Sequence, residues 1–190
     1  MKKFTLFALA LSFACVAVNS YAQDGITANH NVDISIPEVA LLDIESSGTT
    51  AITFAFTAPT EAGLPIQAPS PNTQLWLNYS TISQPYTMDG PATRKISVKL
   101  NGTTYGVDLL LAAATYTGSG AGDFGTPEAN PITLTENDQD LITEIGSSYT
   151  GDGTSNGHQL TYSLSFRGSN YSQLEQGTFG TNVVYTISDN

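Results

Sequence analysis

The sequence predicts an all-β fold, a two-sheet antiparallel sandwich of eight or nine short strands. Apolar and polar residues alternate with a period of two in segments spread from Ile26 to Ile187, which is the period of side chains on a half-buried strand. Clusters of Gly, Pro, Asn and Ser interrupt the alternation at short intervals, as turns between strands do. The polar outer faces favour a sandwich, because antiparallel sheets leave one face in water.

The first alternating segment is the most regular. Between Ile26 and Ile36 every second residue is apolar except His30, and the residues between them are polar. Pro37 ends or kinks this predicted strand because its nitrogen cannot donate to a ladder. Further strands are predicted over residues 39–44, 52–56 (with Ile52, Phe54 and Phe56 facing inward), 74–82, 94–100, 107–116, 132–134, 159–166 and 178–187.

Three segments depart from simple alternation. Residues 109–114 are apolar on both faces, which predicts a central strand covered on both sides or a surface that a partner covers. Residues 117–131 are rich in Gly and are predicted to form a loop. Residues 135–145 are the helix candidate, because Thr135 and Asp138 have capping-box spacing, but a strand fits this segment equally well.

The N-terminus predicts export. Lys2 and Lys3 precede an apolar run over residues 4–18, and Ser20 and Ala22 supply small residues for cleavage, as in a secretory signal peptide. The run is shorter than the roughly 20 residues that a membrane-spanning helix needs. We therefore predict a signal peptide over residues 1–22 and a single mature domain over 23–190, without a transmembrane segment, in the periplasm, at the cell surface or outside the cell.

Composition excludes several classes of function. Cys15, the one cysteine, lies in the predicted signal peptide, so the mature chain has no thiol nucleophile, disulfide or thiolate metal site. The mature chain keeps four basic residues against 17 acidic ones, a net charge of −13. Nucleic acid is therefore an unfavourable partner, since its phosphates require clustered Lys and Arg. The negative charge is explained by solubility outside the cell.

No residue set has the types and spacing of a catalytic or metal site. His30 and His158 are the two histidines, one on an apolar face and one after a glycine turn, and neither is predicted to be catalytic. The loop over residues 151–157 resembles a calcium loop, but Ser163 stands where the closing Glu is required, which favours a hairpin loop. We predict no enzymatic activity, no cofactor and no metal.

Trp76 is the candidate ligand contact. Alternation places Trp76 and Asn78 on the polar face of the segment over residues 74–82, opposite Leu75 and Leu77. An aromatic ring flanked by amides and hydroxyls can stack on a sugar or anchor a protein contact. The alternative is a loop that folds over the ring.

The C-terminus carries a second regular alternation. Gly177 opens a segment in which Phe179, Val183 and Tyr185 share one face, and amphipathic strands with open edges are sites of strand addition. The two terminal segments resemble those of chaperone-usher pilus (fimbrial) subunits, immunoglobulin-like proteins in which the N-terminal extension of a neighbour completes the fold. The chain departs from that family at Asp189, where an aromatic is usual, and in lacking a disulfide.

The resemblance implies an immunoglobulin-like sandwich with an assembly or adhesion role, with other copies or related subunits as partners. The predicted strand-addition segments then contain Ile26, Val32, Ile34, Phe179, Val183 and Tyr185. The segment before Pro37 has the length of one strand, either a donor or the first strand of its own sheet. Two hypotheses follow: a secreted structural or adhesion subunit, and a carbohydrate-binding module that uses Trp76.

Overall fold

The computed structural model describes residues 26–84 and 92–190, which contain nine strands and no α-helix. The predicted signal peptide and Cys15 lie outside these residues. The chain divides into two units, Met1–Ser35 and Ile36–Asn190, and every strand belongs to the second. The strands are β1 (Val39–Ser46), β2 (Asn72–Ile82), β3 (Arg94–Asn101), β4 (Val107–Ala113), β5 (Ala121–Pro127), β6 (Ile132–Thr133), β7 (Gln139–Tyr149), β8 (His158–Phe166) and β9 (Asn182–Asp189).

All strand pairs are antiparallel, which confirms the predicted all-β antiparallel class, whereas its division into two packed sheets stays a prediction. The order is β6-β4-β8-β2-β7-β3-β9, with β1 beside β2 and β5 beside β7. Strand β2 is shared: Asn72 to Leu77 pair with β8, whereas Ser80 and Thr81 pair with β7. The strands around β8 and those around β7 are therefore joined through β2 into one hydrogen-bonded network. The immunoglobulin-like connectivity stays a prediction.

The core lies on the alternate residues of the central strands. Leu77, Ile96, Ile142 and Leu160, from β2, β3, β7 and β8, are fully buried. The hydroxyls of Tyr162 on β8 and Tyr185 on β9 hydrogen-bond to each other, although these strands are not neighbours in the sheet order. The other buried apolar residues are Leu75, Tyr79, Val98, Leu100, Leu109, Leu111, Ala113, Leu134, Leu141 and Ile145.

Two predicted strands are wrong. Residues 27–38 form no ladder and residues 26–38 are all exposed, so the strand predicted over 26–36 is absent. Residues 52–56 also form no strand, although Ile52 and Phe54 pack against the core as predicted. Alternation fixes which face a side chain occupies, but a strand also needs a neighbouring backbone with free donors and acceptors. Neither segment has one among the described residues.

Strand β5 is the converse error, since the sequence predicts a loop over residues 117–131. Gly122 and Gly125 lower its strand propensity and have positive φ angles of 114° and 70°. The glycines are needed because β7 lies very close: a Cβ on Gly122 would stand 2.3 Å from the carbonyl oxygen of Ser147. The register shifts between Gly122 and Phe124, so the strand contains a bulge.

The two ambiguous segments are resolved as strands. Most of 135–145 belongs to β7, which pairs with β3 and β5 and buries Leu141, Ile142 and Ile145. Residues 109–113 lie in β4, between β6 and β8, where Leu109 and Leu111 are buried and the opposite face is partly covered. Within the described residues, 26–84 and 92–190, no helix is long and apolar enough to cross a membrane.

Truncation of a central core residue should cost far more stability than truncation of an exposed one. We expect Ile142→Ala to lower the free energy of unfolding by about 2–5 kcal/mol, because it leaves a cavity in a fully buried site. Leu41→Ala, at a residue that is 66% exposed, should change it by less than about 0.5 kcal/mol. Urea unfolding followed by far-ultraviolet circular dichroism measures both. Equal losses would contradict this core.

Candidate functional site

The N-terminal alternating segment, residues 26–36, exposes its large apolar side chains. Ile26, Val32 and Ile34 are 106%, 69% and 83% exposed, and Ile36 is 73% exposed. Single exposed apolar residues are ordinary on protein surfaces, but four on one face of an alternating segment are not. The segment has the side-chain pattern of an amphipathic strand and no ladder among the described residues. Its sequence therefore has the pattern of a strand, but the segment does not form one.

Strand β9 lies at the end of the sheet order and is the second candidate element. It pairs with β3 from Arg94↔Asp189 to Asn101↔Asn182, and its other edge has no ladder partner in the described part of the chain. On β3, Ile96 and Val98 are fully buried. Their partners on β9, Ile187 and Tyr185, pack against the core but are only half-buried. The apolar cover is thus less complete at β9 than at β3.

Phe179 lies outside β9, so the strand predicted over 178–187 starts too early. The ladder with β3 ends at the pair Asn101↔Asn182, because the chain turns at Gly102 with a φ of 133°. Phe179 is 42% exposed and stacks on Tyr105, with the ring centroids 4.3 Å apart. Val183 and Tyr185 lie within β9 as predicted.

A buried arginine joins the start of β1 to the end of β9. Arg94 is 2% exposed; its Nη1 donates to the carbonyl oxygen of Val39 at 2.6 Å and its Nε donates to Asp189 at 3.0 Å. Its Nη2 also pairs with Glu38. Asp189, the residue that departs from the pilus-subunit pattern, is therefore one of the guanidinium partners. The sequence signal was an arginine at the head of an apolar strand.

Trp76 and Asn78 have different surroundings. Trp76 is half-buried on the face opposite Leu75 and Leu77, as the alternation predicts, and its register neighbours are Glu45 and Gln159. Asn78 is 5% exposed and its Nδ2 donates to the carbonyl oxygen of Gly153 at 2.9 Å. The hairpin loop after β7 covers Asn78. Its amide is therefore not displayed beside Trp76 on the surface.

The buried polar cluster of the molecule surrounds His158, which is 0% exposed. Its Nδ1 lies 2.8 Å from the carbonyl oxygen of Ala114, which can only accept, so Nδ1 carries a proton. Its Nε2 lies 3.0 Å from the hydroxyl of Tyr79, which is also 2.6 Å from the carbonyl oxygen of Phe124. Burial lowers the pKa of His158 and raises that of Tyr79. Sequence reasoning missed this cluster, because its members are far apart in the chain.

The other residues considered for chemistry are not brought together. His30 is exposed, and His158 is fully enclosed. The loop over residues 151–157 is closed by its own hydrogen bond, in which Asn156 Nδ2 donates to the carbonyl oxygen of Asp152 at 2.6 Å. Within residues 26–84 and 92–190, no three His, Cys, Asp or Glu side chains are grouped to hold a metal.

No family model, curated protein or solved structure matches this chain. The resemblance to chaperone-usher pilus subunits stays a prediction. Three features of the described residues are candidates for function: the exposed N-terminal segment, the partly covered β9 and the arginine that joins β1 to β9.

The buried histidine predicts a specific pH dependence. Burial lowers the pKa of His158 below its ordinary value of 6.5. Between the two pKa values, the unfolded chain is therefore protonated at His158 and the folded chain is not. The His158 contribution to stability is thus complete above pH 6.5 and is lost as the pH falls toward the folded pKa. We expect His158→Gln to be destabilising at neutral pH, and less so at about pH 5.

Urea unfolding of both proteins across this range measures the difference. His30 and every carboxylate are common to the two chains, so their titration cancels in the comparison. A destabilisation that is constant with pH would contradict the assigned protonation state.

Proposed function

We propose that this chain is a secreted, non-enzymatic surface or filament subunit that assembles by strand addition. Residues 26–36 of one copy pair with the open edge of β9 of the next copy. One observation carries the proposal: within residues 26–84 and 92–190, the chain has an exposed amphipathic strand sequence without a ladder and an edge strand whose apolar residues are less buried than their partners on β3. Each element supplies what the other lacks.

The position of β1 supports a donor role for residues 26–36. Strand β1 begins at Val39 and pairs with β2 along its whole length, so the sheet does not need residues 26–36 for its own first strand. Pro37 separates the two segments, and a proline cannot donate a backbone hydrogen bond to a ladder. The N-terminal segment is therefore available as a donor.

The energies require a long contact. Burial of Ile26, Val32, Ile34 and Ile36 at about 1.5–3 kcal/mol each gives a gross gain of roughly 6–12 kcal/mol. Association costs about 4–15 kcal/mol in lost freedom, so apolar burial alone leaves little surplus. The ladder hydrogen bonds, each worth about 0.5–1.5 kcal/mol, then decide the affinity. A donor that pairs along the whole of β9 meets this requirement.

The arrangement also sets the kind of assembly. A donor and an acceptor at different places on one subunit make a head-to-tail contact, which propagates as an open chain unless it closes into a ring. The N-terminal export pattern supports a location outside the cytoplasm, and the net charge of −13 in the mature chain supports solubility there. We place the assembly in the periplasm, at the cell surface or beyond it.

The donor face can be tested with a matched pair of variants. Val32→Asp with Ile34→Asp places two charges on the apolar face, and Asn29→Asp with Asn31→Asp places the same charges on the polar face. We expect the first variant of mature protein, residues 23–190, to stay monomeric. The second should assemble like the unaltered protein, because only the first buries charge in the contact.

Size-exclusion chromatography with light scattering, over a range of protein concentrations, measures the assembly state. Circular dichroism checks that both variants keep the β fold. An unaltered protein that is strictly monomeric at all concentrations, or equal assembly of the two variants, would sink the proposal.

A second candidate function is carbohydrate binding at Trp76. One observation favours it: the half-buried ring lies on the outer face between Glu45 and Gln159. Gln159 Nε2 donates to the carbonyl oxygen of Thr73, but Gln159 Oε1 and the Glu45 carboxylate can accept from sugar hydroxyls while the ring stacks on the sugar. We expect a glycan ligand to change the fluorescence of Trp76, the one tryptophan of the chain. Gln159→Ala should weaken that response, and the absence of a response to any glycan of a broad panel would remove this candidate.

A further inference from the structure

We infer that the stacked pair Tyr105–Phe179 is the anchor that sets the register of strand addition. This inference rests on the proposed function, and it names a contact beyond the edge of β9. In it, Ile36 of the incoming copy packs against the aromatic pair, and residues 26–34 run antiparallel along β9 toward Asp189. The occupant is therefore a defined segment of a second copy of this chain.

The aromatic pair is exposed but firmly built. Tyr105 and Phe179 are 47% and 42% exposed, with ring centroids 4.3 Å apart. Tyr105 has a φ of 41°, a left-handed conformation that is uncommon and costly for a large side chain. Such a conformation persists only where the surroundings enforce it. An aromatic ring displayed to solvent at that cost is a candidate contact.

The residues on both sides of Tyr105 are held by contacts with the rest of the fold. The hydroxyl of Thr104 donates to the carbonyl oxygen of Val107 at 2.6 Å and accepts from Arg167 Nη2 at 2.6 Å. Arg167 Nε also donates to Asp108 at 3.2 Å. A Cβ on Gly106 would lie 2.1 Å from the carbonyl oxygen of Gln173, so the turn packs directly on the next loop. The turn that carries the ring is thus tied to the fold by hydrogen bonds and close packing, which lowers the entropy lost on binding.

The lengths of the two segments agree with this contact. The alternating donor covers residues 26–36, which is three residues more than the eight of β9. At about 3.3 Å per residue the excess is roughly 10 Å. Phe179 stands three residues before Asn182, the first residue of β9. A donor that fills the whole edge therefore extends back to Phe179.

The edge of β9 alone cannot fix the register. A slip by one residue turns every apolar side chain of the donor outward. A slip by two residues keeps the faces correct and loses at most one inward-facing residue pair. Val183, Tyr185 and Ile187 are apolar residues at every second position of β9, so they tolerate such a slip. An apolar anchor at one end penalises it, because a slipped isoleucine no longer meets the rings.

The direction follows from the arginine between β1 and β9. Arg94 holds both Glu38 and Asp189, so the chain enters β1 of the acceptor beside the end of β9. A parallel donor would bring its attached domain to this crowded end. An antiparallel donor brings it to the Phe179 end, and antiparallel pairing is also more stable. With Ile36 opposite Phe179, Val32 lies opposite Val183.

Cysteine cross-linking tests the register, because the mature chain has no native cysteine. Tagged Val32→Cys protein is mixed with Thr181→Cys, Val183→Cys or Tyr185→Cys protein, oxidised gently and resolved on non-reducing gels. We expect the cross-link between positions 32 and 183 to exceed the other two by about tenfold, given the worth of an apolar and aromatic contact at one end.

Removal of the anchor should release the register. With Phe179→Ser in the acceptor, we expect the three cross-links to become equal within about twofold, since two-residue slips are no longer penalised. Phe179→Leu should keep most of the preference. Tyr171→Ser, which removes an aromatic side chain that is 47% exposed elsewhere on these loops, should keep all of it. Circular dichroism checks the fold of each acceptor.

The outcomes separate the two proposals. Even cross-linking to all three positions in the otherwise unaltered protein would leave strand addition standing and overturn the anchor. A preference for Tyr185 would overturn the antiparallel register, because a parallel donor with Ile26 at Phe179 places Val32 there. No cross-link at any position, together with a monomeric protein, would overturn strand addition itself.

Discussion

Everything in this fold depends on the apolar layer that β2, β3, β7 and β8 share. Leu77, Ile96, Ile142 and Leu160 are fully buried, and each lies on a strand that pairs on both edges over at least part of its length. Strand β2 is the link, because its first half pairs with β8 and its end pairs with β7. Without that division, the strands around β8 and those around β7 would have separate hydrogen-bond networks. The core also explains where the fold stops, since burial declines from β3 to β9.

Arg94 is a buried charged residue that, like the apolar layer, fixes the positions of strands. A buried guanidinium is unfavourable unless its donors are paired, and here Glu38, Asp189 and the carbonyl oxygen of Val39 pair with it. The carboxylates remain largely in water, with side chains 60% and 64% exposed, so they keep much of their hydration. The result is a fixed junction between the first and last strands of the second unit. The position at which the chain enters β1 is thereby set by ion pairs in which only the arginine is buried.

The proposed assembly unites features that have no separate explanation. An exposed amphipathic segment is a liability for a monomer, because it invites aggregation, and so is an open edge with half-covered apolar residues. Together they form a complementary pair when the second belongs to another copy. The buried cluster around His158 has the opposite character. The side chains of His158 and Tyr79 are buried, and their effect is on stability.

The sequence by itself determined which face of each segment is apolar. The period of two places Leu75 and Leu77 inward and Trp76 outward, and it correctly predicts an all-β antiparallel fold, because side-chain direction on a strand is a local property. Tertiary structure decided the exceptions, the segments whose pattern does not match their structure. Residues 26–36 have an ideal pattern and no ladder, whereas β5 has glycines and does pair, because a ladder needs a backbone at the right distance. The contacts of Arg94, of His158 and of Tyr105 with Phe179 were equally out of reach, since each joins residues distant in the chain.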